Sequence, residues 1–251
     1  MPNGKQLKVC PECGRLVTVE GPGSTRCPYC GAEVPGVPGY WQATEPGEAS
    51  SPWDEREKLG AFTAYVQTWR MVMSRPSEFF ANMPVSGGLL GALLYALITG
   101  TLGGLASLFW QVILPGRNPV LEAILASQGL TESQVMSAAV FLAPFAVIVQ
   151  TFVWAAILHL MIVLLAGGGR GFEATFRVVS FATTPQLLAV IPICGGLIAS
   201  FWSFALVIIG LRETHRISGA VATLAALIPV VSLLFLFFML LYRMIAALPG
   251  V

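Results

Sequence analysis

Charge is what this chain has least of. Only 14 Lys or Arg and 13 Asp or Glu stand among its 251 residues. Charged residues are 11% of the total, against about 25% in a soluble domain, while hydrophobic residues reach 55% and mean hydropathy is +0.75. That balance excludes an ordinary water-soluble protein. The net charge of +1 supplies none of the broad basic field by which nucleic-acid binders work, so nucleic acid is not an expected partner. Histidine is scarce too, at two residues. The chain has no Gly-x-Ser-x-Gly elbow, no His-Glu-x-x-His pair, no Gly-Lys-Ser/Thr phosphate loop and no Asp-rich metal site, which argues against an enzyme. The opening stretch, MPNGKQLKV, lacks the apolar core of a signal peptide, so export of the N-terminus is not expected.

The charge that exists is unevenly spread. Fourteen charged residues precede Leu59, and no lysine follows Lys58. The chain divides into a polar N-terminal part and a membrane part. Within the latter, no charge falls between Arg177 and Arg212, a run of 34 residues interrupted by Pro185, Pro192, Gly195 and Gly196. One straight helix through a bilayer needs about 20 residues. An out-and-back pair of short helices fits better, returning both charged ends to one side. Whether the pair crosses fully or forms a re-entrant hairpin stays open.

Four of the five cysteines form two pairs, Cys10-Pro-Glu-Cys13-Gly14 and Cys27-Pro-Tyr-Cys30-Gly31. Each pair sits on a tight turn whose following glycine is free to take positive φ, aiming backbone amides at the sulfurs. Two such knuckles supply four thiolates in a tetrahedron, the closed geometry of structural zinc. Between them Arg15 to Glu20 reads as a strand, and Gly21 to Gly23 as a turn. So small a module buries too little apolar surface to fold alone. Metal would contribute about 10–16 kcal/mol of folding free energy. A rubredoxin-like iron site uses similar knuckles, and two disulfides are the remaining alternative, disfavoured where thiols are kept reduced. Cys194 stands alone among apolar residues and reads as packing.

Residues 36–53 are rich in Pro, Gly, Ser and Glu and read as a flexible linker; Tyr40, Trp41 and Trp53 are its candidates for touching a membrane surface. Over 54–84, Leu59, Phe62, Val66, Trp69 and Val72 or Met73 recur at helical spacing. Pro76 opens a second short helix carrying Phe79, Phe80 and Met83. These segments either lie in the membrane interface, with Arg70 and Arg75 near the headgroups, or pack on the bundle. Gly100 to Gly104 forms a small-xxx-small pattern suited to close packing within the chain.

Positive charge sets orientation. Arg56, Lys58, Arg70 and Arg75 precede the first span, Arg170 and Arg177 lie between the second and third, and Arg212 and Arg216 between the fourth and fifth. The opposite loops offer only Arg117, and Arg243 near the far end is a lone snorkelling exception. The N-terminus is therefore expected in the cytoplasm and the C-terminus outside. Intramembrane polar residues are functional suspects: here Gln150, His159 and Gln186, with no acid in any expected span, and His159 also reads as a packing residue. Glu173 and Arg177, spaced as a helical ion pair, form with Arg212, Glu213, His215 and Arg216 a charge cluster. Such a cluster either anchors helix ends or docks a partner.

Trp69, Pro76-Ser-Glu-Phe-Phe80 and Met83-Pro84 ahead of a Gly-rich span resemble the entry of the Yip family of membrane proteins. So do Gly171-Phe172-x-Ala174-Thr175-Phe176-Arg177, Pro185-Gln-Leu-Leu188, Ile191-Pro192 and Gly210-Leu211-x-x-x-His215-x-x-Ser218. The resemblance covers Thr68 to the C-terminus. It implies five spans, an inward N-terminus, an outward C-terminus and a non-enzymatic interaction role; its eukaryotic relatives are implied to bind Rab-type GTPases and one another in vesicle traffic. The four-cysteine module is not part of that eukaryotic pattern, and the composition looks prokaryotic.

The expected fold is thus an all-α membrane protein of five transmembrane helices preceded by an interfacial amphipathic helix, with a small N-terminal zinc ribbon. The divisions are ribbon 1–35, linker 36–53, amphipathic helices 54–84 and Yip-type domain 85–251, with spans near 88–114, 135–166, 176–193, 196–211 and 219–247. The expected location is the inner membrane of a prokaryote, with structural zinc on Cys10, Cys13, Cys27 and Cys30. The expected role is an adaptor recruiting a cytoplasmic protein, alone or as a homo- or hetero-oligomer. The alternative is a small-molecule transporter or channel with its site at the broken helices around Pro185 and Pro192.

Overall fold

In a computed structural model of the chain, the described residues are 5–10, 12–13, 15–20, 25–34, 50–114, 125 and 127–246. The turn expected at Gly21 to Gly23, Tyr40 and Trp41 of the expected linker, and Arg117 lie outside them. The chain forms two units, Met1–Ala49 and Ser50–Val251.

The first unit is built from two small hairpins. Strand β1 (Lys5–Val9) pairs antiparallel with β2 (Leu16–Glu20), setting Lys5 against Glu20 and Val9 against Leu16. The short strands β3 (Thr25–Arg26) and β4 (Glu33–Val34) pair likewise. Val17 is buried and Thr18 exposed, the alternation of a one-sided strand. The core is small: Cys10, Val17, Cys27 and Val34, with Ala32 against them.

The second unit is helical and begins before the expected linker ends. At its start Ser51 Oγ donates to Asp54 Oδ2 at 2.6 Å, and the Asp54 amide donates to the Ser51 carbonyl at 2.9 Å. Trp53 is buried, and its indole N–H donates to the Gly91 carbonyl at 2.6 Å. It is a core residue, not one that touches a membrane surface. Helices α1 (Arg56–Leu59), α2 (Ala61–Ser74) and α3 (Pro76–Asn82) follow. Of the apolar face expected on α2, Phe62 is 81% exposed. Val72 of that face is buried and Val66 and Trp69 are half-buried, while Ala64 and Thr68 are buried beside them with Tyr65 and Met71 alongside. On α3, Phe79, Phe80 and Met83 are buried in the same core, so its aromatics pack on the bundle and do not lie at an interface.

Among the described residues four helices are long and apolar enough to cross a membrane: α4 (Leu89–Ile113), α5 (Glu132–Ala166), α7 (Gly195–His215) and the segment Gly219–Arg243 of α8 (Gly219–Ala246). Thr131 caps α5 with a reciprocal Gln134 bond, fixing where the helix starts. Pro229 lies inside a continuous α8. Phe141, Phe145, Phe201 and Phe235 are exposed on these helices, a surface suited to lipid rather than water.

The expected third span is not a single helix. Helix α6 (Phe172–Phe181) gives way to a 3-10 helix over Thr184–Val190. Thr183 and Thr184 donate their hydroxyls back to the Ser180 and Phe181 carbonyls, and Pro185 has no amide to continue the α pattern. Residues Ala174 to Phe181 are all buried, because α4, α5 and α7 all pack on α6. The two pieces run beside α4 from end to end. Glu173 meets Gly88, Thr184 meets Tyr95, and the Val190 carbonyl accepts from Trp110 Nε1 at 3.0 Å. Helix α7 then returns, its last residue His215 meeting the Arg170 amide.

Candidate functional site

The four knuckle sulfurs lie within 4.8 Å of one another. Cys10 and Cys30 are 3.6 Å apart, and Cys13 and Cys27 3.7 Å. A tetrahedron with metal–sulfur bonds of about 2.3 Å has edges of about 3.8 Å, so the spacing suits a metal ion without rearrangement. The turns supply the geometry: the Cys10 amide donates to Arg15, Cys27 to Ala32, and Gly31, at φ 78°, to Cys27. The thiols do not share one acidity. Desolvation pushes Cys27 up, but the amides of Tyr29 and Cys30 and the thiols of Cys30 and Cys13 outweigh it, lowering it to about 7. Cys30 is relieved by the Ala32 amide, yet desolvation and its three thiol neighbours raise it to about 12. One thiolate is thus favoured and further ionisation resisted. A cation that neutralises all four is what such a cluster fits.

The expected charge cluster separates into two parts. Glu173 and Arg177 do not pair. Glu173 accepts from the Gly88 amide at 2.6 Å. Arg177, 1% exposed, donates through Nη2 to Asp54 Oδ2 at 2.6 Å and stacks over Phe181 at 5.7 Å. His215 is buried as well. Its Nδ1 accepts from the Arg170 amide at 3.0 Å, and its Nε2 faces Thr175 Oγ1 at 3.0 Å, which lies 3.1 Å from His159 Nδ1. An amide can only donate, so Nδ1 of His215 is bare and Nε2 carries the proton. Thr175 then accepts from His215 and donates to His159. Arg212 pairs with Glu213 at the surface, and Arg216 is exposed beside them.

The expected polar residues of the membrane part are also divided. His159 belongs to the Thr175 chain. Gln150 and Gln186 line one cavity of about 520 Å³ between α4, α5, the 3-10 segment and α7. Sequence reasoning missed Asp54, Thr175 and Ser203. For Asp54 a signal existed: an arginine seated in an apolar helix needs a counter-ion.

The Yip1 domain family matches residues 70–241, and the chain belongs to that family. It is a multi-pass membrane protein. No curated protein and no solved structure matches it. Trp53 and Asp54 precede the matched region, so the partner of the buried Arg177 comes from outside the family domain.

Proposed function

We propose that this member of the Yip1 domain family is a non-enzymatic membrane adaptor. Its four cysteines hold structural zinc, and the folded ribbon captures a cytoplasmic protein. The bundle crosses the inner membrane of a prokaryote five times, with the segmented stretch Phe172 to Val190 as the third crossing, the N-terminus inside and the C-terminus outside. Membership of the Yip1 domain family supports a link of this role to membrane organisation or trafficking.

The observation that carries the reading is that the four thiols converge in a unit of their own. There a closed site stabilises a surface and performs no chemistry. That surface presents Tyr29, 59% exposed, with the Arg15 guanidinium 4.7 Å from its ring centroid. An aromatic paired with an arginine is the sort of group that anchors protein interfaces. The pair Arg212 and Glu213 with Arg216 offers a second contact on the bundle.

The test is crosslinking and affinity purification from native membranes with wild type, Cys10→Ser/Cys13→Ser and Tyr29→Ala. Loss of one specific soluble protein from both variants, with membrane insertion intact, is the expected result. The same capture by wild type and the metal-free variant would refute the adaptor role.

A further inference from the structure

The cavity between α4, α5, the 3-10 segment and α7 carries several polar side chains where a membrane bundle has most reason to be apolar. It lies toward the end of the bundle away from His215. Gln111, two residues from the end of α4, and Ser200, five residues into α7, line one part of it, with Trp154 and Val207 at the other. Among the described residues, the side-chain amides of Gln150 and Gln186 have no hydrogen-bond partner. The Ser203 hydroxyl oxygen is buried without one. A buried hydroxyl left unmet in an apolar medium costs free energy, and the two open amides that line the same space supply further partners for something that enters it. No charged side chain lines the cavity, so a charged guest would leave its solvation uncompensated.

We propose that this cavity binds a neutral polyhydroxyl group, glycerol-like or sugar-like. A primary amide presents a donor pair and an acceptor side by side, which matches a hydroxyl that both donates and accepts. Two amides and a serine meet several such hydroxyls at once. Trp154 and Phe204 add apolar walls for the C–H faces of the guest, the mixture of aromatic lining and few polar groups that ligand cavities show. The volume of about 520 Å³ falls in the usual range of about 300–1,000 Å³. The wall at Gly104 stays open, since a Cβ there would meet nothing within 4 Å. The site is independent of the ribbon and of the adaptor role.

The guest is either the headgroup of a neutral lipid or a free polyol, and the two are separable. The full chain is reconstituted in phosphatidylcholine nanodiscs. One arm dopes the discs with monoglucosyl diacylglycerol and reads co-purified glycolipid by mass spectrometry. The other adds glucose or glycerol to undoped discs and reads saturation-transfer NMR. Binding in at least one arm is expected, weakened about tenfold in Gln150→Leu/Gln186→Leu as hydrogen bonds to the guest are lost. Gly104→Phe, which fills the space, should abolish it while leaving thermal unfolding in detergent unchanged. Equal binding by wild type and the double leucine variant overturns the proposal. So does preference for anionic phosphatidylglycerol over the neutral glycolipid, or binding in neither arm, which would leave only water in the cavity.

Discussion

At the scale of single residues, Arg177 is the most demanding group in the protein. It is 1% exposed, and its Nε has no hydrogen-bond partner. The Asp54 carboxylate, with 23% of its side chain exposed, neutralises it, and the Gly88 carbonyl accepts a long bond from Nη1 at 3.5 Å. A buried ion pair adds little net stability over an apolar substitute, but stripping one partner leaves a charge in low dielectric. Asp54→Ala should therefore cost about 3 kcal/mol, less whatever relief water reaching the open side of Asp54 supplies. Arg177→Met should cost less, and the double variant should be more stable than Asp54→Ala alone, because removing both charges removes the unmet one. Thermal unfolding of the four proteins in one detergent measures this cycle. Strict additivity would mean that the two groups do not interact.

At the scale of elements, close backbone approach decides how the segmented stretch sits on α4. A Cβ added at Gly103 would come 2.5 Å from the Gln186 carbonyl oxygen and 2.8 Å from its carbon, both backbone atoms that cannot swing away. At Gly104 the same atom meets open space. Gly103→Ala is expected to destabilise the bundle by about 1–3 kcal/mol and Gly104→Ala by almost nothing, as read from thermal unfolding. Equal effects would show that the contact is not tight. Much of this scale was legible in the sequence. The glycine pattern announced close packing, and the length and apolarity of α4, α5 and α8 announced membrane helices. Pro185 and Pro192 announced an interruption, because its causes are local to the backbone. What was not legible depends on distant partners. Trp53 finds its acceptor 38 residues away and Asp54 its arginine 123 residues away, so a stretch with linker composition became part of the core. His215 looked like a surface charge because nothing in its neighbourhood shows Thr175 and the Arg170 amide closing over it.

At the scale of the whole molecule, the two units have different reasons to be folded. The helical unit buries a large shared core through Trp53, Tyr65, Tyr95, Phe79 and Phe181, whose rings meet in sequence at 5.0 to 6.0 Å. Among the described residues of the ribbon four side chains form its core, two of them candidate metal ligands, and so small a module cannot approach stability on burial alone. Its folding should then follow metal and pH while the bundle ignores both. The sign follows from the thiols. Metal binding needs four thiolates; Cys27, lowered to about 7, ionises readily, whereas Cys30, raised to about 12, gives up its proton only to the cation. Binding therefore releases protons, so apparent affinity rises with pH and falls as acid re-protonates the sulfurs. Hydrogen exchange on the full chain in nanodiscs should show Lys5 to Val34 losing protection on chelation. Half-loss should come at lower chelator concentration at pH 6 than at pH 8, with protection of α4 to α7 unchanged. A ribbon that keeps its protection without metal would place its stability elsewhere, and the reading of the four cysteines as a structural centre would fail with it.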